Sequence, residues 1–195
     1  METRAYPRAG GPRKSYSRSP SPIFRPETLA PPPAVVFLWA MPPVPGLRSP
    51  YAKVGRLVYF GRMLDKIRLF TAQRLPADYL ENYGDGHPGM FDTRCCEFLR
   101  VEHKAIATRV LSGGSDEEIL AWTEAKGGRR GDDECQIWNS FLIKRGWHDS
   151  AATGQRLQKR IADSGLQDKP IETFFDYIDF DEGRDPVAAR AWEQV

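Results

Sequence analysis

The chain has 195 residues, of which 41% are hydrophobic and 28% charged, and a formal net charge of +2. This is room for one or two domains of ordinary composition, and the charge is too balanced to imply a nucleic-acid or membrane partner. The positive excess sits at one end, since residues 1–46 hold six Lys and Arg against two Asp and Glu, whereas residues 47–184 hold 21 against 22. Cys95, Cys96 and Cys135 are too few and too irregularly spaced for a disulfide framework, and they point to a reducing, cytoplasmic setting.

Residues 1–46 are rich in Pro, Arg, Ser and Gly and read as a disordered tail. The longest apolar run, Ala34 to Met41, is about half of what a membrane span needs. A basic start before such a run has the outline of a signal peptide. Prolines on both sides of the run and the lack of a small-x-small cleavage pattern argue against it. Met41 is an alternative start, because MPPVPGLRSPY leads straight into the folded region.

Residues 55–73, GRLVYFGRMLDKIRLFTAQ, have the spacing of one central helix with two apolar faces. Leu57, Phe60, Met63, Leu64, Ile67 and Phe70 form one stripe, and Val58, Gly61, Asp65 and Leu69 lie opposite. Gly61 and Asp65 break the local rules: Gly costs about 1 kcal/mol relative to Ala inside a helix, and Asp is rarely buried unless paired. Pro76 then opens a short helix that Gly84 ends, and residues 84–90 form a loop. Residues 91–99 resume a helix, and Ala105, Ile106 and Val110 mark the next. Ser115 and Glu118 form a capping box for a helix that ends at Gly127 and Gly128. Asp132 caps a helix running to Arg145; Gly146 stops it, with Trp147 folding back on Leu142 in a Schellman motif. Ile161, Gly165 and Leu166 repeat that grammar, and Pro170 opens a last helix over 170–180.

No stretch alternates with period two between turn signals. The expectation is therefore an all-α fold: a compact single domain of seven or eight mostly short helices over 47–184, packed around a buried central helix. Residues 185–195 read as a C-terminal tail.

Five blocks in order, LRSPYAKVGRLVYFGRMLDKIRL, FDTRCCEFL, LSGGSDEEILAW, IWNSFLIKRGWHD and TFFDYIDFDEGR, resemble the bacterial domain-of-unknown-function family 5069 over nearly all of 47–184. That family has no assigned reaction, ligand or partner, so the resemblance implies no catalytic residues. Arg56 stands where the family tends to have Gly, and GHPGM before Phe91 looks inserted, which leaves the shape of that loop open.

Asp65 with Arg62, Lys66 and Arg68 could form a polar site in which cations hold a carboxylate ionised, as a general base or ligand clamp needs. The plainer reading is a structural ion pair between the central helix and a neighbour. Trp138, Asn139, Lys144, Arg145, Trp147 and Asp149 fall within two turns and a cap. They read either as half of a binding site, with Arg145 gripping an anion and Trp147 walling it off, or as a capped core helix. Arg94 lends charge to the adjacent Cys95, but no histidine is placed beside it. Neighbouring cysteines on a helix diverge by about 100°, a poor zinc geometry, so neither a metal nor a cofactor is expected. Asp176, Asp179, Asp181 and Glu182 gather at a helix C-terminus, where the dipole favours cations. Something basic should sit there: Arg184, a residue of another helix, a partner subunit or a divalent cation.

The sequence thus leaves the function unknown and divides it between two classes. One is a soluble, non-catalytic binding or assembly module, with a homo-oligomer or protein partner. The other is a small α-helical enzyme or ligand-binding protein. Its pocket would lie around Asp65, Arg62, Lys66 and Arg94, and around Trp138, Asn139, Arg145 and Trp147 on the 133–147 helix.

Overall fold

The computed structural model describes residues 43–190. The predicted tail up to residue 42, with the run Ala34–Met41 and its alternative start, lies outside the described residues. Eight α-helices and a 3-10 turn account for most of the rest, so the all-α expectation holds, with one local exception at its start.

That exception is a small hairpin. β1 (Lys53–Val54) pairs antiparallel with β2 (Leu57–Val58), Lys53 opposite Val58 and Val54 opposite Leu57. Gly55, at φ +54°, supplies the positive φ that a two-residue hairpin loop requires. The Asn139 side chain clamps the turn from a distance: its Oδ1 accepts the Val58 N–H at 3.0 Å and its Nδ2 donates to the Arg56 carbonyl at 2.7 Å. The central helix therefore begins at residue 60 rather than 55. α1 (Phe60–Thr71) is buried along every position from Phe60 to Ile67, as a helix with two apolar faces must be. Leu57 and Val58 are also buried, but as strand residues. Phe70 leaves the stripe, 46% exposed, and stacks on Tyr83 with ring centroids 4.4 Å apart.

Gly61 is explained by close packing. A Cβ there would fall 2.6 Å from Arg48 Nη1 and 2.8 Å from Val54 Cγ2. Gly61→Ala is expected to destabilise the fold although Ala gains about 1 kcal/mol in helix propensity. The added methyl must dislodge Arg48 from Asp65 or push β1 away. A urea melt in which G61A is as stable as the parent would contradict this.

A 3-10 turn (Ala77–Asn82) follows Pro76, which sits at its cap, and leads into α2 (Phe91–Leu99), α3 (His103–Leu111) and α4 (Asp116–Gly127). The capping box is formed, with Glu118 accepting the Ser115 N–H at 2.8 Å and Ser115 Oγ accepting the Glu118 N–H at 3.2 Å. In α5 (Asp132–Ile143) the cap is Gly131, whose N–H donates to Glu134 at 2.7 Å; Asp132 turns instead to Arg56. Leu57, Met63, Leu64 and Ile67 meet Cys95, Leu99, Ile106, Ile119 and Leu142 in one core.

The two expected Schellman motifs diverge. After α6 (Ala151–Asp163), Leu166 N–H reaches the Ile161 carbonyl at 3.0 Å, and Leu157, Ile161 and Leu166 form a cluster. After α5 the Trp147 N–H bonds to Lys144 and its ring stays 47% exposed instead of folding onto Leu142. The last long helix, α7 (Phe174–Asp181), opens at Thr173 rather than Pro170. Thr173 Oγ1 accepts the Asp176 N–H at 3.1 Å and Asp176 returns the bond to the Thr173 N–H at 3.1 Å. Beyond residue 184 the chain adds α8 (Pro186–Ala189), whose Ala189 packs on the core, and Arg190 lies 5.0 Å over the Tyr51 ring.

Candidate functional site

One turn separates Arg62 from Lys66 on α1, and both charges are buried. Lys66 Nζ donates to Asp92 Oδ1 at 2.6 Å, to the Asn82 carbonyl at 2.7 Å and to Tyr59 Oη at 3.1 Å. Burial pulls the Lys66 ammonium below its ordinary range, and the Asp92 carboxylate works against that pull. Three acceptors for three N–H groups describe a positioned cation rather than a free amine. Tyr59 itself has φ 69° and ψ −30°, a rare backbone for a bulky residue, and its hydroxyl donates to Asp92 at 2.9 Å. Strain of this kind concentrates at functional sites.

Arg62 donates both terminal nitrogens to Glu182, and Nη1 also reaches the Arg48 carbonyl at 2.7 Å. Glu182 is shared with Arg184 and accepts from the Tyr79 hydroxyl at 2.8 Å. Burial opposes ionisation of Glu182, but the two guanidiniums prevail and hold its carboxyl below the usual range. The basic group demanded by the acidic C-terminus of α7 is therefore Arg184 together with Arg62. Asp179 takes Arg184 and the Ser49 hydroxyl at 2.7 and 2.6 Å, and Asp176 accepts from the Tyr51 hydroxyl at 2.6 Å.

These buried pairs floor a cleft of about 330 Å³. Tyr79, Phe91, Phe174 and Tyr177 supply its aromatic walls, and Arg145, Arg156 and Arg160 its cations. α6 lines one side because Thr153, Arg156, Arg160 and Ser164 recur at helical spacing on a single face. Arg145 is tied to Asp149 at 2.5 Å and to Thr153 Oγ1 at 3.2 Å, and Arg160 stands 3.9 Å from Glu81. Arg156 has no carboxylate within salt-bridge distance among the described residues.

Of the residues singled out in the sequence, the cleft gathers Arg62, Lys66, Arg145, Asp181 and Glu182 and leaves the others elsewhere. Asp65 belongs to a ring of four charges: Arg48 meets it at 2.6 Å and Arg68 at 3.5 Å, and both arginines reach Asp116 at 2.7 Å. It borders a separate groove with Pro45, Gly46, Arg68 and Leu69. Asn139 clamps the hairpin. Trp138 stacks on Phe98 at 4.5 Å, Trp147 is at the surface, and Arg94 bonds the Gly89 carbonyl at 3.0 Å beside the Phe141 ring. Arg156, Tyr59 and Tyr177 escaped sequence reading. The spacing of Thr153, Arg156 and Arg160 on one face of α6 was the available signal.

Burial pushes the Cys96 thiol up to about 12 and Cys95 well above the ordinary thiol range, which keeps both protonated and unreactive. No group of three or more His, Cys, Asp or Glu among the described residues is arranged to hold a metal ion, and no helix among them is long and apolar enough to cross a membrane.

His103, packed edge-on to Tyr83 at 4.9 Å, has no partner at Nε2, and burial lowers its proton affinity. The folded state therefore binds this proton less readily than the unfolded one. Its contribution to stability is complete above about pH 6.5, the unfolded value, and is lost as pH falls from there toward the folded pKa. Urea midpoints measured from about pH 7 to 5 should fall less steeply in His103→Phe than in the parent. Parallel curves would refute the assignment.

No curated protein matches the sequence. Residues 44–184 match the family model described as Domain of unknown function (DUF5069). The matched region spans the hairpin, α1 to α7 and every buried pair beneath the cleft, and the chain belongs to the DUF5069 family.

Proposed function

We propose that this DUF5069 domain is a small-molecule-binding module whose ligand is an organic anion with a flat or apolar body. The observation that carries the reading is a cleft of about 330 Å³ in which Arg156 stands without a counter-ion beside aromatic walls. Ligand pockets combine this size with mostly apolar linings and a few placed polar groups. The buried charges of the floor, Arg62, Lys66 and Glu182, are neutralised internally, so the floor is preorganised and the exposed Arg156 is available to a ligand. Free, buried Cys95, Cys96 and Cys135 are consistent with action in a reducing cytoplasm.

Para-methylphenylacetate is a suitable probe, titrated into isotopically labelled protein. Amide shifts should concentrate at Arg145, Arg156, Phe174 and Tyr177. Arg156→Glu should abolish them while moving stability by no more than about 0.5 kcal/mol, as expected for an exposed, unpaired side chain. Shifts that are absent, or scattered over the surface, would overturn the proposal.

A further inference from the structure

The cleft is electrically lopsided along α6. Arg156 on that helix and Ser164 at its C-cap are eight residues apart, roughly 12 Å along its axis. At the Arg156 end the free charge is a guanidinium, and Arg145 beside Thr153 is already shared with Asp149. At the other end Ser164 Oγ and Tyr177 Oη lie 2.8 Å apart, and the Asp181 carboxylate faces both hydroxyls.

Asp181 differs from its neighbours on α7. Asp179 and Glu182 are each neutralised by an arginine, whereas among the described residues Asp181 has no salt-bridge partner. Arg160 offers Asp181 some long-range attraction, but the carboxylate it approaches is Glu81, at 3.9 Å. Desolvation raises the Asp181 carboxyl's proton affinity, the sign of a half-buried anion short of positive charge. Asp78, on the 3-10 turn that lines the cleft, is a second carboxylate without a salt-bridge partner among the described residues.

We infer that the ligand is a zwitterion: its anionic group rests on Arg156, its apolar body lies against Phe91, Phe174 and Tyr177, and an amino group reaches Asp181. The inference rests on the reading of the cleft as a ligand site and names the second charge that ligand carries. An ammonium there would donate to Asp181 and to the Ser164 hydroxyl, giving the carboxylate the direct ion pair that no described side chain makes with it.

Calorimetry on the full chain with two matched probes, para-(aminomethyl)phenylacetate and para-methylphenylacetate, separates the two readings. The zwitterion should bind at least about tenfold more tightly, the gain from one charge-assisted contact. Asp181→Asn should erase that advantage and leave the methyl probe's affinity unchanged, while Arg156→Gln weakens both. Equal affinity of the two probes for the parent protein, or equal weakening of both by Asp181→Asn, would overturn this inference and leave the anion site standing. Binding of neither probe would overturn both.

Discussion

Lys66→Met is expected to remove about 3–5 kcal/mol of stability, the usual penalty for breaking a buried pair by deleting one partner. Whole domains hold only ~5–15 kcal/mol, so the urea midpoint should drop by a large fraction. The loss comes from what remains. Asp92 is wholly buried, and without Lys66 its charge keeps only hydrogen bonds from the Tyr59 hydroxyl and the Gly84 N–H at 3.0 Å. The Asn82 carbonyl loses its donor as well. Adding Asp92→Leu should recover part of the loss, because an apolar pair can replace a buried ion pair at little net penalty. Recovery stays incomplete, since Tyr59 and the Gly84 N–H then lack their acceptor. A Lys66→Met variant within about 1 kcal/mol of the parent would mean that the pair is not held charged.

Gly127→Ala should be at least as damaging, for a steric reason. A Cβ at this last residue of α4 would stand 1.8 Å from the Leu99 carbonyl oxygen and 2.9 Å from Val101 Cγ2. The first obstacle is backbone and cannot rotate aside, so the loss should exceed about 3 kcal/mol, the upper end of ordinary overpacking. Its neighbour provides the control. Gly128 has φ +87° and ψ 131° with nothing within 4 Å of its would-be Cβ, so Gly128→Ala meets conformational strain alone, about 1–3 kcal/mol. Chemical denaturation of both variants should rank Gly127→Ala well below Gly128→Ala. The reverse order would refute close approach as the reason for Gly127.

Sequence reading succeeded where the signal was local. The Ser115 capping box, the Gly165 turn and the two buried faces of α1 are all written within a few residues of each other. It failed where a distant residue decides. Two-residue strands are too short to alternate visibly, and the hairpin is held by Asn139, 81 residues from Val58. The same limit governed the site. Arg62, Asp65 and Lys66 are near neighbours in sequence, but their partners Glu182, Arg48 and Asp92 come from different parts of the chain. Those partners assign Arg62 and Lys66 to the cleft and Asp65 to a separate ring. Gly127 read as a helix terminator, although the oxygen that requires it belongs to Leu99, the last residue of α2.

Ser49 and Tyr51, at the entry to the domain, bond to Asp179 and Asp176 on α7, and Arg62 finds its counter-charge on Glu182 just past the end of that helix. A nascent chain therefore cannot seal this domain until α7 and Glu182 have left the ribosome. Until then the early segments must wait with their acceptors missing, and a message cut short near residue 170 would yield a polypeptide for quality-control proteases rather than a smaller working version.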